Sequence, residues 1–403
     1  MATNLLSPVK LADPIKRIYG NLTGVDFLNE ASRVALNRSP DALNVYKDYT
    51  SSGECVQTRP GHLFLSKLSN KINGIYFYEH GSGVIVLVHS GETLYKWDSF
   101  PDYDPEDLSN FISLYTYMND AKSEFVVFEN ILYILDGENY LMYDGTTLQS
   151  VTNYIDTDAS ERYIPITSIG RSPSGGGEAY QPVNVLTTKR KNSFCADGTS
   201  TVYQLDAYGI TSVLNVVVNG STIPTTSYTV NTANGTVTFT TAPSAPLISG
   251  QDNVVITFST AETGITDRIQ NCTLMRAFDN RLFFSGNSDY KNAIFHSKLE
   301  TPFYISDLDY YQDGLDEAAI KSICVGNNVL WVFKESNQQK NTIFYHVPTL
   351  DVENNRIYPS AQGNISTGCN SSSCNFNDDI VFMTEYGLER YKWANFKRTS
   401  IKP

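Results

Sequence analysis

The sequence is poor in several residues on which metalloproteins and many enzymes depend. Its 403 residues include only 5 His, 6 Cys, 5 Met and 3 Trp. The histidines are widely separated, at positions 62, 80, 89, 296 and 346. Among the cysteines only Cys369 and Cys374 are close, and a lone C-x4-C without a second pair is a weak zinc signal. We therefore expect reduced structural thiols in a protein made in a cytosol, and no metal.

Positive charge is also scarce, since 30 Lys and Arg face 43 Asp and Glu, which gives a net charge of −13. This balance argues against a protein that grips nucleic acid through its phosphates, although not against one that encloses it. No stretch approaches the roughly 18 apolar residues of a spanning helix. The initial segment MATNLLSPVK has no basic region followed by an apolar run. We expect a soluble protein without a membrane anchor that is not exported by the usual signal.

Recognisable catalytic motifs are missing as well. The sequence contains no G-x-S-x-G, no H-E-x-x-H and no G-x-x-x-x-G-K-[ST]. Acidic groups are the serious enzymatic candidates, because propeller glycosidases place carboxylates around a central pocket. These groups are Asp98 with Asp102, Asp313 with Asp316-Glu317, and Asp378-Asp379. Most stand at turns, where Asp bonds its own backbone, so we favour turn chemistry and predict a protein that is not an enzyme and needs no cofactor.

Aromatic residues are abundant, with 26 Tyr and 20 Phe, and they favour strands. Five segments share one pattern: a short apolar strand, a polar turn, a stronger apolar strand, a second turn, and a strand ending in an aromatic residue. The segments begin at Ile72, Phe125, Met275, Ile320 and Cys374. The first turns include Glu129-Asn130, Asp279-Asn280, Gly326-Asn327-Asn328 and Asn377-Asp378-Asp379. The pattern predicts successive antiparallel hairpins.

The stronger strands ILYIL, RLFFS, VLWVF and DIVFM are apolar at nearly every position. Such strands are covered on both faces, which favours sheets stacked radially around an axis. The sequence therefore predicts an all-β protein, a β-propeller of about five to six blades. Only residues 103–120 could hold a helical turn or two.

The repeated strand pattern is interrupted between residues 151 and 271. Residues 171–184 are rich in Gly, Ser and Pro and indicate a linker. The following stretch is rich in Thr and Val and nearly free of charge, with the hairpin signals Asn219-Gly220 and Asn234-Gly235. We predict a small antiparallel β-sandwich-like domain inserted at 183–262. The remaining domains are an N-terminal extension (1–40) and the two parts of the propeller (41–182 and 263–403).

Residues 41–58 indicate a hairpin ahead of the first complete blade, and Arg59-Pro60-Gly61 ends it. A strand from one terminus could complete a sheet begun at the other and remove an exposed edge. We therefore expect Leu43–Tyr49 to pair with the last blade, around Leu388–Trp393.

The segment SPDALNVYKDYTSSGECVQTRPG, followed by INGIYFYEHGSGVIVLVHSGETLYKWD, resembles virion proteins of tailed bacteriophages. In these proteins a similar segment ending in RPG opens a propeller. ISTGCNSSSCNFNDDIVFMTEYGLERY (365–391) is similar to their last blade. The relatives are the tail nozzle, or packaged-DNA stabilisation, proteins of short-tailed phages. The resemblance covers about 35–150 and 270–395 and omits the insertion.

This resemblance implies a homo-oligomeric ring in the neck or tail of a virion, next to portal, adaptor and tail proteins. The ring would complete a channel for DNA and retain the genome until ejection, without sequence-specific binding. A negatively charged lumen would repel DNA phosphates and let the duplex pass.

Two alternatives of different class stay open. One is a tail-tip propeller that binds or cleaves host glycans, which should show a carboxylate cluster and exposed Trp. The three Trp, at 97, 331 and 393, all fall on predicted strands instead. The other is a cellular scaffold propeller, whose repeat signatures do not occur in this sequence.

Overall fold

In the computed structural model of the protein, the regular elements of the described residues are almost all β-strands. The described residues are 24–26, 29–35, 37–43, 45–48, 55–61, 65–98, 109–157, 163–363, 367–376, 379–392 and 397–400. They divide into two compact units, and the boundary falls between Leu65 and Ser66.

The smaller unit contains a hairpin and one turn of 3-10 helix at Ala31–Arg33. The hairpin is formed by β1 (Val45–Asp48) and β2 (Cys55–Thr58), with Val45 opposite Thr58. It confirms the strands predicted over 41–58, although the turn at 49–54 lies outside the described residues. These strands belong to a different compact unit from the sheets that follow, whereas the predicted boundary placed residues from 41 onward in the propeller.

The larger unit opens with two four-stranded antiparallel sheets whose strands follow chain order. Blade 1 consists of β3 (Ile72–His80), β4 (Gly83–Ser90), β5 (Thr93–Trp97) and β6 (Phe111–Tyr115). Blade 2 consists of β7 (Glu124–Phe128), β8 (Ile131–Leu135), β9 (Tyr140–Tyr143) and β10 (Leu148–Ser150). A short helix, α1 (Val151–Thr157), follows. The helical turns predicted within 103–120 are wrong for 111–115, because these residues form the outer strand β6.

The insertion comes next and has two sheets around its own apolar core, as expected of a sandwich. The larger sheet has the order β12-β11-β13-β19-β15-β16, and the smaller sheet has the order β14-β18-β17. Their bounds are β11 (Ile166–Arg171), β12 (Glu178–Ala179), β13 (Lys189–Phe194), β14 (Val202–Gln204), β15 (Ile210–Val218), β16 (Ser221–Thr222), β17 (Tyr228–Asn231), β18 (Thr236–Phe239) and β19 (Val254–Thr260). A 3-10 turn (Thr225–Ser227) precedes β17.

The insertion begins earlier than the sequence suggested. Strand β11 pairs in parallel with β13 and carries β12 on its other edge, so Ile166–Arg171 is part of the inserted sheet and not of the propeller. Residues 171–184 are therefore not a plain linker, since Glu178–Ala179 is a strand within them. The parallel pair also makes the larger sheet mixed instead of purely antiparallel.

Three further four-stranded sheets follow the short helix α2 (Asp267–Gln270). Blade 3 consists of β20 (Leu274–Phe278), β21 (Arg281–Ser285), β22 (Ala293–His296) and β23 (Tyr310–Gln312). Blade 4 consists of β24 (Ile320–Gly326), β25 (Val329–Lys334), β26 (Ile343–His346) and β29 (Ser360–Gln362), with the small hairpin β27 (Thr349–Leu350) and β28 (Arg356–Ile357) before its last strand. Blade 5 consists of β30 (Ser373–Phe376), β31 (Asp379–Thr384), β32 (Gly387–Lys392) and β33 (Lys397–Ser400).

These sheets are arranged as propeller blades. Their first strands lie next to one another in the order β3, β7, β20, β24, β30. Between each pair of successive blades the facing side chains form an apolar core, such as Leu87 with Leu141 and Trp331 with Tyr391. Because β9 and β25 are covered on both faces, every residue in them is buried. The described part of the larger unit is thus a β-propeller with five blades, in agreement with the prediction.

Local turn chemistry fixes the hairpins that start blades 2, 3 and 4. At Glu129-Asn130, Asp279-Asn280 and Asn327-Asn328 both residues have φ between 48° and 63°. Positive φ at both central positions defines the type I′ turn, which matches the twist of paired strands and favours Asn and Asp. The fourth predicted turn, at Asn377-Asp378, lies outside the described residues.

The predicted closing strand is wrong. Strand β32 pairs with β31 on one edge and with β33 on the other, so both of its edges are occupied by neighbours from the end of the chain. Strand β1 pairs with β2. The last blade is completed by Lys397–Ser400 and not by Leu43–Tyr49, because a short local connection supplies the same hydrogen bonds at a lower loss of chain entropy.

Candidate functional site

The acidic groups considered for catalysis lie on different blades. Asp98 follows β5 in blade 1, Asp313 follows β23 in blade 3, and Asp379 opens β31 in blade 5. Asp102 and Asp378 lie outside the described residues. Asp316 and Glu317 lie in the same loop as Asp313, between β23 and β24, and both are exposed.

Asp313 differs from the rest because it is fully buried. Its Oδ2 lies 3.0 Å from Nε2 of His346, and the two side chains are 0% and 1% exposed. Ser360 donates a hydrogen bond to Oδ1 of the same carboxylate. Asp313 therefore holds a histidine and a serine from blade 4, instead of capping a turn as the sequence suggested.

The ring of His346 has acceptors at both nitrogens. Nδ1 lies 2.8 Å from the carbonyl oxygen of Tyr358, and Nε2 faces the Asp313 carboxylate. Since a carbonyl oxygen and an ionised carboxylate only accept, both ring nitrogens are placed to donate, which favours the protonated ring. Burial by itself lowers the pKa of His346, but the hydrogen bond and the charge of Asp313 outweigh it, and the pKa is raised.

A lysine joins the same buried group. Lys334 at the end of β25 is fully buried, and its Nζ donates to the carbonyl oxygens of Asp313 and Leu315, each at 2.6 Å. Burial lowers the pKa of Lys334. The loop after blade 3 is therefore tied to blade 4 by two cationic side chains.

His296 and His346 occupy matching positions, as the sequence indicated, because they end β22 and β26, the third strands of blades 3 and 4. Tyr311 lies between them: its ring stacks on His296 with centroids 5.7 Å apart and also contacts His346 at 5.6 Å. Burial lowers the pKa of His296, whose Nδ1 lies 3.0 Å from the carbonyl oxygen of Ser297. The two histidines thus share one aromatic neighbour, but their pKa values are shifted in opposite directions.

The small hairpin of blade 4 is anchored to blade 3 nearby. Arg356 donates from Nε and Nη2 to the two carboxylate oxygens of Asp279, at 2.8 and 2.9 Å. Tyr358 donates its hydroxyl hydrogen to the same carboxylate at 2.7 Å. The hydrogen bonds from Arg356 and Tyr358 lower the pKa of Asp279. A two-point Arg–carboxylate contact fixes direction as well as distance, so the hairpin is held in one orientation.

The buried group formed by Asp313, His346 and Ser360 is suited to holding charge and not to nucleophilic attack. In a catalytic triad the serine donates to the histidine, which accepts the proton. Here Ser360 donates to Asp313, and both nitrogens of His346 already face other acceptors. The arrangement fastens blade 3 to blade 4 through buried ionic contacts. Sequence reasoning missed it because Asp313 and His346 are brought together only by the packing of two blades.

His89 and Cys369 have local partners. His89 is buried between the Ser123 hydroxyl (3.1 Å) and the Gly91 carbonyl oxygen (2.8 Å), and burial lowers its pKa. Cys369 is buried, Cys374 is exposed, and both are free thiols. Within the described ranges, no group of three or more His, Cys, Asp and Glu side chains is placed to hold a metal ion.

Polar contacts also join the first strands of neighbouring blades. Arg276 on β20 donates to Glu124 on β7 at 2.6 Å, and Lys122 reaches the other oxygen of that carboxylate at 2.7 Å. Between blades 4 and 5 the hydroxyls of Ser322 and Ser373 lie 2.8 Å apart. These contacts link successive blades through their first strands, in addition to the apolar cores.

The base of the insertion is built into the propeller. Between β12 and β13 the chain returns to the core of blades 2 and 3, where Val185 and Leu186 are buried. The Asn184 amide donates to the carbonyl oxygens of Tyr163 (3.1 Å) and Phe303 (2.8 Å). Residues 182–187 are therefore an anchor of the propeller between two parts of the insertion, 166–181 and 188–260.

Comparison with known proteins gives a fold likeness at low similarity. Neither a protein-family model nor a curated protein sequence matches the chain. The extracellular domain of BT4673 from B. thetaiotaomicron is 13% identical with a TM-score of 0.30, over 84% of this chain and 34% of that one, so the match spans about a third of its length. Kluyveromyces lactis Hsv2 is 10% identical with a TM-score of 0.23, over 83% of this chain and 100% of that one. The CNH domain of AfRom2 is 9% identical with a TM-score of 0.27, over 84% and 86%.

The helices in the described part of the chain are short, and none has the length and apolar character needed to cross a bilayer.

Proposed function

We propose that the protein is a structural virion protein of a tailed bacteriophage. It forms a closed homo-oligomeric ring in the neck or tail, next to portal, adaptor and tail proteins. The ring completes the DNA channel and retains the packaged genome until ejection.

One observation carries this proposal: the two stretches that resemble phage nozzle proteins contain most of the propeller, together with the hairpin of the smaller unit. Residues of about 35–150 include blades 1 and 2, and residues 270–395 include most of blades 3 to 5. The insertion, which has no counterpart in the resemblance, lies between them. A β-propeller fold alone does not define a function, because one fold serves many functions. The proposal therefore rests on the segments that resemble phage proteins and not on the propeller itself.

The charge of the chain supports the same function. A net charge of −13 lets a duplex pass through an enclosing ring without adhering to it, whereas a basic lumen would hold DNA through counterion release. The charged groups between blades 3 and 4 are buried inside the protein, so they take no part in the chemistry of a ligand that passes through the ring.

The oligomeric state tests the proposal. Purified full-length protein should form closed rings that are visible in negative-stain images, with one mass by light scattering. A chain that stays monomeric at every accessible concentration would contradict the ring. Imaging of virions that carry this protein, with a bound antibody fragment as a marker, should place it at the neck or tail.

A glycan-binding or glycan-cleaving tail-tip propeller is the second candidate. Glycan turnover by the purified protein would favour it, and a chemical screen can detect that turnover. The screen exposes the purified protein to bacterial cell-wall and capsular glycans. Turnover that a single Asp98→Asn or Asp379→Asn change abolishes would overturn the structural proposal. We expect no turnover by the wild-type protein.

A further inference from the structure

The dipeptide Asn-Gly occurs three times in the chain, at Asn73-Gly74, Asn219-Gly220 and Asn234-Gly235. Asparagine is chemically labile, and a following glycine exposes it most, because glycine has no side chain to shield its backbone nitrogen. That nitrogen can attack the carbonyl carbon of the Asn side chain. The structure places the three dipeptides in different surroundings, and it therefore separates them where the sequence does not.

The reaction needs no partner other than water. The Gly nitrogen bonds to Cγ of the Asn side chain, the bond from Cγ to Nδ2 breaks, and the proton of the Gly N–H leaves with Nδ2 as ammonia. Water then opens the cyclic imide. Cleavage between the nitrogen and Cγ gives aspartate, and cleavage between the nitrogen and the backbone carbonyl carbon gives isoaspartate. Both products carry a carboxylate where the amide was, and nothing is oxidised or reduced.

Hydrogen bonds hold the side chains of Asn73 and Asn219 away from this attack. Asn73 is buried, and its Nδ2 donates to Oδ1 of Asp120 at 2.7 Å. Asn219 is held at both ends of its amide: Nδ2 donates to Ser244 Oγ at 3.0 Å, and Oδ1 accepts from Nδ2 of Asn253 at 3.1 Å. Each side chain must give up these bonds before it can turn onto the next backbone nitrogen, which raises the barrier to ring closure.

The side chain of Asn234 is not held in this way. It is exposed, and it makes no hydrogen bond to any part of the chain that the structure describes. Only its backbone is tied, since its N–H donates to Oδ1 of Asn231 at 3.1 Å and its carbonyl oxygen accepts from Nε2 of Gln204 at 2.9 Å. The amide of Asn234 can therefore turn onto the Gly235 nitrogen without first breaking a side-chain contact.

We propose that Asn234 is a site of spontaneous deamidation in the folded protein. The modification places a negative charge within residues 207–251, a stretch that contains no Asp, Glu, Lys, Arg or His. The inference needs only the insertion and does not rest on the proposed function.

Isoaspartate would also disturb the smaller sheet of the insertion, because it adds one atom to the main chain between residues 234 and 235. Gly235 is buried, and its backbone lies so close to the Ala207 carbonyl oxygen that no side chain fits there. The N–H of Leu205 donates to the Gly235 carbonyl oxygen at 2.9 Å. A longer main chain displaces this carbonyl group, so we expect the hydrogen bond from Leu205, next to β14, to weaken.

Peptide mapping by mass spectrometry tests the proposal on the full-length protein. The folded protein is incubated at mildly alkaline pH, where the glycine amide loses its proton more readily, and all three dipeptides are followed in the same digest. Asn234 should be converted at least about tenfold faster than Asn73 or Asn219. In guanidinium chloride the three should react at similar rates, because the hydrogen bonds that protect Asn73 and Asn219 are then absent.

Two variants provide matched controls. Ser244→Ala removes one of the bonds that hold Asn219, so it should speed conversion of Asn219 and leave the rate at Asn234 unchanged. Asn234→Gln should stop the mass change at that position, since a longer side chain closes the ring poorly. Hydrogen exchange of the Leu205 amide should become faster during incubation of the wild type but not of Asn234→Gln.

Two results would overturn the proposal. One is conversion of Asn73 or Asn219 in the folded protein as fast as that of Asn234. The other is an Asn234 that keeps its amide in the folded protein after the unfolded chain has been converted. Neither result bears on ring formation, which is measured separately by negative-stain imaging.

Discussion

Asp313 and His346 face each other across 3.0 Å, each no more than 1% exposed, one in the loop that leaves blade 3 and the other on the third strand of blade 4. Acceptors at both ring nitrogens of His346 raise its pKa and favour an ionic pair. Two blades of the propeller are therefore connected by charges that have no access to solvent. Such a pair adds little net stability when intact, but removal of one partner leaves the other charge buried and alone.

The first prediction concerns this pair. Asp313→Asn should lower the free energy of unfolding by about 3–5 kcal/mol, because His346 loses its counter-charge in a buried site. Asp316→Asn, at a nearby exposed residue, should change it by no more than about 0.5 kcal/mol. Urea denaturation at pH 6 measures both. A loss for Asp313→Asn as small as that for Asp316→Asn would show that the pair is not ionic.

The second prediction is a pH dependence. The pKa of His346 is raised in the folded protein above its unfolded value of about 6.5. The proton thus stabilises the folded state fully at pH below about 6.5, and this contribution is lost as pH rises through the folded pKa. The difference in stability between the wild type and His346→Gln should accordingly shrink as pH rises from about 6 to 9. Melting curves of both proteins give the difference directly, and this comparison removes the opposite effects of His89 and His296, whose pKa values burial lowers.

The third prediction concerns the insertion. Removal of 166–181 and 188–260, each replaced by a short Gly/Ser link, should leave a folded propeller. The ends of each deletion are already joined, since the Ile166 and Gln181 backbones are hydrogen-bonded and Thr260 N–H donates to the Thr188 carbonyl oxygen. Removal of 183–262 as one piece should instead give insoluble protein, because it takes away Val185 and Leu186 from the core of blades 2 and 3. Equal solubility of the two products would mean that residues 182–187 are not an anchor.

The fourth prediction concerns the first strands. Glu124→Gln should cost about 1–3 kcal/mol, since Glu124 is mostly buried and accepts from Arg276 and Lys122. Lys122 is 71% exposed, and Lys122→Ala should cost no more than about 1 kcal/mol. Denaturant titration of both variants provides the comparison. If the order of the two losses were reversed, the link between β7 and β20 would not contribute as inferred.

The fifth prediction concerns the type I′ turn at the start of blade 3. Asn280 has φ of 53° and an exposed side chain, so Asn280→Ala should cost about 1 kcal/mol from backbone strain alone. Asn280→Gly tolerates the same φ and should be close to neutral. Thermal unfolding of the pair separates strain from the loss of side-chain contacts, because both variants lose the same amide group.

The repeated hairpins could be predicted from the sequence because their causes are local. Asn and Asp at Asn130, Asp279 and Asn328 adopt positive φ more readily than other residues, which sets the turn. The apolar runs on either side then place the strands, and repetition of the unit predicts blades. The Asn219-Gly220 hairpin of the insertion follows by the same reasoning, with Val218 opposite Ser221.

Other features could not be predicted, since they depend on which distant segments pack together. Strand β11 belongs to the insertion because it pairs in parallel with β13. Nothing in its own composition distinguishes it from a propeller strand. The last blade took its fourth strand from Lys397–Ser400, although residues 41–49 have a similar strand pattern. In both cases the local pattern defines a strand but leaves its partner open, because backbone hydrogen bonds are the same for any partner.

Residue type and turn spacing by themselves determined that this protein is all-β, that its strands form repeated hairpins, and that a domain rich in Thr and Val and nearly free of charge interrupts them. Tertiary structure alone decided the raised pKa of His346, the burial of Asp313 and the role of residues 182–187 as an anchor. The physical reason is that turn conformation depends on the few residues within the turn. A buried charge depends instead on partners such as Asp313 and His346, which only the packing of blade 3 against blade 4 brings within hydrogen-bond distance.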